Sequence, residues 1–322
     1  MAEWRRLGAD DLRSILRGFN VDGYQSHQPI AAGTINTNLR VETGAGRLFL
    51  RVNEGKSLDD VAREGAIVAH AAARGVVTPV PLPSATGQPF GLWQDQIVSL
   101  FPWVPGRTLT RAELTPAHAA AAGKALAQLH LAGADFPDHR PGRYEPSEID
   151  RRLAIIAALG RPELEGAVAR LTPALGGLAT ERAPALPMGL IHGDLFVDNV
   201  LYEEGGALAA LLDFEQASWG RLAYDLAVTL LAFAFGRDDF RPELTRALLD
   251  AYAALRPPTA AERAGFGPEL RFAACRFAVT RITDVHLKQG AGAAPGKRFQ
   301  RYLDRLARVE AHLTDADGLL SI

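Results

Sequence analysis

Three side chains suited to holding a metal ion or accepting a proton lie close together in segment 190–215. Asp194 follows His-Gly, Asn199 stands five residues later, and Asp213 ends an apolar run that predicts a strand. Phosphoryl transfer with Mg²⁺ needs a carboxylate to hold the acceptor hydroxyl and two oxygen ligands for the metal. The alternative is an ordinary surface hairpin, because Asp, Asn and Gly are common in turns. This combination of residues and spacing favours the phosphoryl-transfer site.

The composition predicts a folded chain with two domains or two lobes. The sequence has 322 residues, is 48% hydrophobic and 22% charged, and carries a formal net charge of −2. Without a basic stripe, we expect no nucleic-acid partner and no membrane partner. The single cysteine, Cys275, cannot form a disulfide or a cysteine zinc site within the chain. With no signal-like start and no apolar run of about 20 residues, we expect a cytoplasmic protein. The oligomeric state is left open.

Residues 30–52 alternate between strand and turn signals and predict a hairpin followed by a third strand. In a kinase-like lobe, the turn with Gly33, Thr34 and Asn36 would lie over nucleotide phosphates. Backbone N–H groups and small hydroxyls would then contact the phosphate oxygens. An ordinary hairpin is the alternative, because Gly33 is the only glycine of this turn.

Two charged residues downstream of the hairpin could form an ion pair. Arg51 is on the third predicted strand, and Glu64 is in a helix predicted over 57–73. Arg51 stands where a strand lysine would meet the phosphates, but its guanidinium is a planar fork and not a compact ammonium. The alternative is that Glu64 is one of the solvated acids of its helix.

A strand that breaks at Pro102 marks the predicted boundary between an N-lobe, residues 1–101, and a C-lobe, residues 102–322. Backbone groups of Ser99 and Phe101, just before this boundary, are expected to hydrogen-bond an adenine edge. This expectation rests on position in the chain.

The rest of the chain is predicted to be mostly helical. Segment 115–130 begins with Thr-Pro, a cap followed by proline at the first helical position. A later helix is predicted over 268–289. His130 is predicted to be a packing residue. Asp225 is predicted to hold the loop of Asp194 by hydrogen bonds, to complement a helix dipole as an acid at a helix start, or to do both.

The central segment resembles the aminoglycoside phosphotransferase and choline kinase superfamily, a branch of the protein-kinase-like fold. The motifs that carry this resemblance are LIHGDLFVDNVLY and LLDFEQASWGRLAYDLAVTL. AAGTINTNLRVETGAGRLFLRV near the start and RFAACRFAVTRITD near the end resemble the bacterial homoserine kinase branch. The resemblance covers nearly all of the chain. It implies an α+β, two-lobed protein-kinase-like fold with a small antiparallel-sheet N-lobe and a larger, mostly helical C-lobe.

The resemblance also implies roles for individual residues. By position, Asp194 matches the catalytic aspartate, and Asn199 and Asp213 match the metal ligands. Arg51 takes the place of the strand lysine, with Glu64 as its helix partner. The implied cofactors are ATP and Mg²⁺, and the implied partner is a small molecule with a hydroxyl group.

The implied reaction is the phosphorylation of homoserine to O-phosphohomoserine, a step of threonine biosynthesis. The acceptor carboxylate would then bind an arginine, Arg276 or Arg281, by bidentate geometry. The acceptor ammonium would meet an acid, Asp198 or Glu215.

Other functions stay open at this point. Kinases for amino-alcohols, sugars or aminoglycosides share the fold, although an aminoglycoside site is expected to be strongly acidic. A non-catalytic nucleotide-binding protein would be expected to lack one of the three polar residues of segment 190–215, and all three are present.

Overall fold

The computed structural model of the chain describes residues 7–30, 36–182, 185–289, 298–314 and 318–322. The chain divides into two compact units. Unit 1 comprises Met1–Arg107 with Ala209–Glu215, and unit 2 comprises Thr108–Leu208 with Gln216–Ile322. The lobe boundary placed after residue 101 stays a prediction. Within the described ranges, no helix has both the length and the apolar character needed to cross a bilayer.

Unit 1 is built on an antiparallel sheet. Its elements are α1 (Ala9–Arg17), β1 (Tyr24–Pro29), β2 (Thr37–Thr43), β3 (Gly46–Val52), α2 (Leu58–Ala73), β4 (Gly91–Trp93) and β5 (Gln96–Pro102). Among the described residues, five strands form one sheet in the order β1-β2-β3-β5-β4, and every neighbouring pair is antiparallel. The predicted antiparallel sheet near the start of the chain is therefore confirmed.

The core of unit 1 lies between α1 and the sheet. Leu39 and Val41 are buried in β2 and alternate with less buried neighbours, as a strand with one face toward a core requires. The same apolar cluster contains Leu50 of β3 and two side chains of α1, Leu12 and Leu16. Burial of one face fixes the register, because a slip of one residue would turn every apolar side chain toward water.

Unit 2 is mostly helical, as predicted. Its helices and strands are α3 (Pro116–Ala132), α4 (Pro146–Ala158), α5 (Pro162–Glu181), β6 (Met188–Ile191), β7 (Val200–Tyr202), β9 (Ser218–Arg221), α6 (Leu222–Phe233), α7 (Pro242–Leu255), α8 (Ala260–Arg281), α9 (Leu287–Gln289) and α10 (Gln300–Thr314). One turn of π-helix, Ile282–His286, joins α8 to α9. Strand β8 (Leu208–Leu211) begins in unit 2 and continues into unit 1.

Helix α6 forms the centre of unit 2. Every residue from Leu222 to Phe233 is buried, and a helix that is buried on all sides belongs to the interior of a core. Directly before α6, β9 pairs in antiparallel fashion with β6, so that Trp219 lies opposite Leu190. This pairing fixes β6, which leads to Asp194, to the strand that directly precedes the buried helix α6.

The predicted helix start at Pro268 is wrong. Helix α8 begins at Ala260, where the Thr259 side chain accepts from the backbone of Glu262 and the Glu262 side chain accepts in return. Such a capping box satisfies backbone donors that a helix start leaves open. Burial of Phe266 further stabilises the first turns, so that Pro268 is accommodated inside the helix despite its missing N–H.

Helices α3 and α7 approach each other so closely at Gly123 that a side chain has no room. A Cβ at Gly123 would lie 2.2 Å from the carbonyl oxygen of Leu248, whereas a Cβ at the exposed Gly166 of α5 would meet nothing within 4 Å. We expect Gly123→Ala to lower the free energy of unfolding by about 1–3 kcal/mol through overpacking. The matched control Gly166→Ala should raise it by roughly 0.5–1 kcal/mol, because alanine favours helix. Thermal unfolding followed by circular dichroism checks both. Equal midpoints for the two variants would show that the α3–α7 contact is not as close as described.

Candidate active site

The backbone before Asp194 turns in a way that only glycine readily allows. Strand β6 ends at Ile191, and Gly193 follows with φ of +74°, in the left-handed region. A Cβ at Gly193 would also lie 2.8 Å from the carbonyl oxygen of Gln216. Glycine at this position therefore allows the chain to turn sharply and to present the side chain of Asp194, whose exposed fraction is 31%.

A buried carboxylate holds this turn in place. Asp225 of α6 accepts from the backbone N–H of His192 (2.7 Å) and from that of Gly193 (2.8 Å). The Nε2 atom of His130 in α3 lies 3.1 Å from the same carboxylate. Burial raises the pKa of Asp225, but the hydrogen bond and charge of His130 and the backbone N–H of His192 outweigh it and hold the pKa below its ordinary value. Asp225 is therefore ionised, and it anchors the loop as predicted.

The anchor extends into three further helices. The second ring nitrogen of His130, Nδ1, is hydrogen-bonded to the hydroxyl of Tyr252 in α7, with 2.8 Å between the two atoms. That hydroxyl also accepts from Arg256 (2.8 Å), and Arg256 pairs with Glu262 at the start of α8 (2.8 Å). His130 is buried with both nitrogens engaged, so the prediction of a packing histidine is confirmed. Because these contacts join residues of α3, α6, α7 and α8, the position of the loop is coupled to the packing of those helices.

Positive charge lies beside the Asp194 carboxylate. Arg276 Nη1 in α8 is 3.6 Å from Asp194 Oδ1. Burial raises the pKa of Asp194 above its ordinary value, and the charges of Arg276, Arg281 and His192 oppose that rise. A carboxylate in these surroundings can accept a hydrogen bond, and then a proton, from a hydroxyl group.

Asn199 is hydrogen-bonded to the loop that carries Asp194. It ends a 3₁₀ turn, Val197–Asn199, and its Nδ2 atom donates to the carbonyl oxygen of Asp194 (2.8 Å). This bond uses the amide nitrogen and not the carbonyl oxygen, which is the atom that a hard cation such as Mg²⁺ prefers. The role of Asn199 as a metal ligand stays a prediction.

Unit 1 carries a second set of charged residues, arranged with alternating sign. Arg51 of β3 donates to Glu64 of α2 (2.6 Å), so the predicted ion pair is present. Lys56 bridges the other oxygen of Glu64 (3.1 Å) and Glu215 (3.0 Å). Burial raises the pKa of Glu64, but the two cations outweigh it and hold the pKa below its ordinary value. Both cations are thus held within unit 1 by an ionised, buried acid.

Asp213 lies at the edge of this set with a strained backbone. Its φ is +62°, which is uncommon for a residue other than glycine and recurs at functional sites. Burial and the neighbouring Glu215 raise the pKa of Asp213 to about 7. Arg51 Nη1 is 3.9 Å from Asp213 Oδ1 and opposes the rise. A carboxylate that is 42% exposed, with negative charge beside it, suits a divalent cation.

Sequence analysis missed Lys56. The residue precedes the helix cap Ser57 and is separated from Glu64 by eight positions. A basic residue just before a helix carries no signal of its own, and only the fold brings it to Glu64. A compact ammonium is therefore present beside Arg51, at a place where the sequence indicated only a guanidinium.

The other residues predicted to bind the nucleotide have mixed surroundings. Gly33 and Thr34 lie outside the described residues. Asn36 accepts through Oδ1 from a backbone N–H in the segment after β3 (3.2 Å). Ser99 is buried in β5, and its hydroxyl accepts from an asparagine side chain (3.0 Å). Phe101 is half-buried beneath the guanidinium of Arg51. Their nucleotide roles stay predictions.

The residues predicted to bind the acceptor differ in what they contact. Arg276 is buried beside Asp194, and Arg281 ends α8 and contributes positive charge at Asp194. Glu215 pairs with Lys56, whereas Asp198 is exposed at the 3₁₀ turn. Of the four, Arg276 lies within ion-pair distance of Asp194, and the acceptor roles of all four stay predictions.

Sequence similarity and fold place the chain among the phosphotransferases with a kinase-like architecture. The model of the phosphotransferase enzyme family matches residues 26–265. The chain belongs to this family. The solved structure of an amicoumacin kinase in complex with AMP-PNP and Ca²⁺ is similar in fold, with a TM-score of 0.72 at 15% identity and 94% of each chain covered. The predicted kinase-like fold is confirmed.

Curated homoserine kinases are similar to this chain over nearly its whole length. The homoserine kinase of Afipia carboxidovorans is 34% identical, with 92% of this chain and 90% of that protein covered. The homoserine kinase of Rhodopseudomonas palustris is 33% identical, with 100% of both covered. The resemblance to the homoserine kinase branch is therefore confirmed.

We expect Asp225→Asn to lower kcat for phosphoryl transfer about 100-fold. The amide offers one acceptor oxygen in place of two and turns its own N–H₂ toward a backbone donor, so the loop of Asp194 shifts, and small displacements at reacting groups have effects of this size. The control Asp250→Asn, on an exposed residue of α7, should leave kcat within about twofold. Steady-state kinetics check this, together with the thermal midpoint of each variant. An Asp225→Asn enzyme with normal kcat would show that the loop does not depend on this carboxylate.

Proposed function

We propose that the protein is an ATP- and Mg²⁺-dependent kinase that phosphorylates the hydroxyl group of homoserine to give O-phosphohomoserine. The observation that carries the proposal is the Asp194 carboxylate, held on a loop anchored by buried Asp225 and lying beside the guanidinium of Arg276. The names of the full-length relatives support homoserine as the acceptor.

Asp194 acts on the acceptor hydroxyl. Its carboxylate accepts a hydrogen bond from that hydroxyl and orients the oxygen toward the γ-phosphorus. The new oxygen–phosphorus bond forms as the bond from that phosphorus to the bridging oxygen of ADP breaks, and the hydroxyl proton passes to Asp194. In a loose transition state the proton moves late, so that positioning contributes more than basicity.

The remaining charged residues hold the nucleotide and the metal. Asn199 and Asp213 are the proposed metal ligands, and Arg51 and Lys56 are the proposed cations for the phosphate oxygens. Bound Mg²⁺ would neutralise charge on those oxygens. Glu64 keeps both cations in place through one buried carboxylate. This arrangement suits transfer chemistry, in which the protein mainly supplies position and charge.

The same proposal includes a cytoplasmic location. The only cysteine of the chain, Cys275, is a free, buried thiol in α8, which is typical of proteins in reducing compartments. Cell fractionation with an antibody against the protein tests this, and recovery in the periplasmic fraction would contradict it.

A coupled ADP-release assay tests the acceptor directly. We expect turnover with homoserine to exceed that with serine, choline, ethanolamine, sugars and aminoglycosides by at least about tenfold in kcat/KM, because the acceptor's two charged groups and its chain length must all match one site. A mixture without acceptor serves as the control for ATP hydrolysis. No signal above that control with homoserine, alongside turnover of another compound, would exclude the proposed reaction.

Three variants separate the proposed roles within the site. Asp194→Asn should lose most of kcat, by about 100-fold or more, while nucleotide affinity stays within about threefold, since the residue acts on the acceptor.

Arg51→Gln should weaken nucleotide binding about tenfold or more. Asn199→Ala should raise the Mg²⁺ concentration needed for half-maximal rate, because one oxygen ligand is removed.

The readouts are nucleotide affinity by calorimetry and rates over a Mg²⁺ titration. Near-normal kcat in Asp194→Asn would remove Asp194 as the essential residue. Unchanged nucleotide affinity in Arg51→Gln would remove Arg51 from the phosphate site.

A further inference from the structure

Unit 2 contains a cavity of about 230 Å³ that begins beside the loop that carries Asp194. Gly193 and Arg276 line the part nearest Asp194, and Arg182, Arg221 and Phe272 line another part of its wall. At roughly 30 Å³ per water molecule, the volume holds about seven or eight waters. It suits a small metabolite and lies below the roughly 300–1,000 Å³ of sites for drug-sized ligands.

Arg276 is a buried cation that lines this cavity. Only 4% of its side chain is exposed, and its buried Nε has no hydrogen-bond partner among the described residues. Its guanidinium lies 4.1 Å from the ring centroid of Tyr144 and 3.9 Å from that of Phe277. A buried arginine whose donors lack partners is costly unless an anion meets it. The Asp194 carboxylate, 3.6 Å away, is too distant for a hydrogen bond.

Two further arginines of the cavity wall share a single buried acid. Glu269 of α8 is fully buried and accepts from Arg182 through Nε (3.0 Å) and Nη2 (2.7 Å). It also accepts from Arg221 Nη1 (2.9 Å), while Arg221 Nη2 donates to the carbonyl oxygen of Arg182 (2.6 Å). Two guanidinium groups on one carboxylate leave an excess positive charge. The Arg182 guanidinium also lies 3.7 Å from the ring centroid of Phe272, which fixes its position.

The exposed part of the lining has a different charge balance. Arg143, Glu145 and Asp150 also line the cavity, but they are exposed, and their charges screen one another. The buried wall therefore carries the positive excess and would attract the anionic end of a small ligand. A polycationic acceptor would meet like charge there.

We propose that this cavity selects acceptors that carry a carboxylate, with Arg276 binding that group and the Glu269-held pair Arg182 and Arg221 keeping the wall positive. The inference rests on the proposed kinase activity and adds the chemical feature by which the acceptor is chosen. Arg276 lies beside Asp194, the residue proposed to bind the hydroxyl group of the acceptor. Its guanidinium can therefore bind the carboxylate of the same small molecule.

The test compares homoserine with homoserine amide, which keeps the hydroxyl and the ammonium but replaces the carboxylate by a neutral amide. Hydrogen bonds to charged groups contribute roughly 1.5–3 kcal/mol, so wild type should prefer homoserine by about 10- to 100-fold in kcat/KM. In Arg276→Gln this preference should fall to within about threefold, whatever the effect on kcat. Arg276→Lys should recover part of it, since charge returns without the planar fork.

Arg271→Gln is the matched control. Arg271 lies in the same helix, pairs with Glu181 and does not line the cavity, so this variant should keep the wild-type preference. Arg182→Gln provides a second variant at the wall, with a raised KM for homoserine and an unchanged KM for the amide. Circular dichroism verifies that each variant is folded.

The wild-type enzyme alone can overturn the inference. Equal kcat/KM for homoserine and its amide would show that the cavity does not select for the carboxylate. The proposed reaction would still stand. If homoserine is not phosphorylated at all, the proposed function fails, and the acceptor found instead decides the inference. An acceptor without a carboxylate overturns it, and one with a carboxylate supports it. A preference retained in a folded Arg276→Gln enzyme would exclude Arg276 as the carboxylate ligand.

Discussion

The buried carboxylate of Asp225 is the constraint on which the loop that carries Asp194 depends. An ionised acid inside α6 is stable only if it is hydrogen-bonded, and its partners are two consecutive backbone N–H groups of the turn before Asp194 and the ring of His130. The turn also requires glycine at 193. The direction in which Asp194 projects is therefore set by the Asp225 carboxylate and by the left-handed backbone conformation of Gly193.

Charge neutralisation organises unit 1 in a similar way. Glu64 is buried and is stable as an anion because Arg51 and Lys56 both contact it. The same two cations lie close to Asp213 and Glu215, so that acids and bases alternate across the set. A buried charge in this set would be costly alone. Asp213 is the most exposed carboxylate of the set, and its surroundings suit a cation.

Local sequence signals predicted the parts of the fold that local physics controls. Alternating apolar residues in β2 and β3 indicated strands, and the Thr-Pro start of α3 indicated a helix. The start of α8 was misplaced at Pro268, because the capping box of Thr259 and Glu262 stabilises earlier turns. Lys56 escaped notice, since a basic residue just before a helix cap carries no signal of its own.

The sequence by itself determined the kind of chemistry. Asp194, Asn199 and Asp213 are recognisable because the roles predicted for them demand particular side chains at short spacing along the chain. Tertiary structure alone decided what surrounds them. The joining of His130 to Asp225, and of Arg182 and Arg221 to Glu269, links residues distant in the chain. Such contacts produce no periodic or local pattern in a sequence. They form because a buried charge is stable only with a partner, and the fold brings that partner from a distant part of the chain.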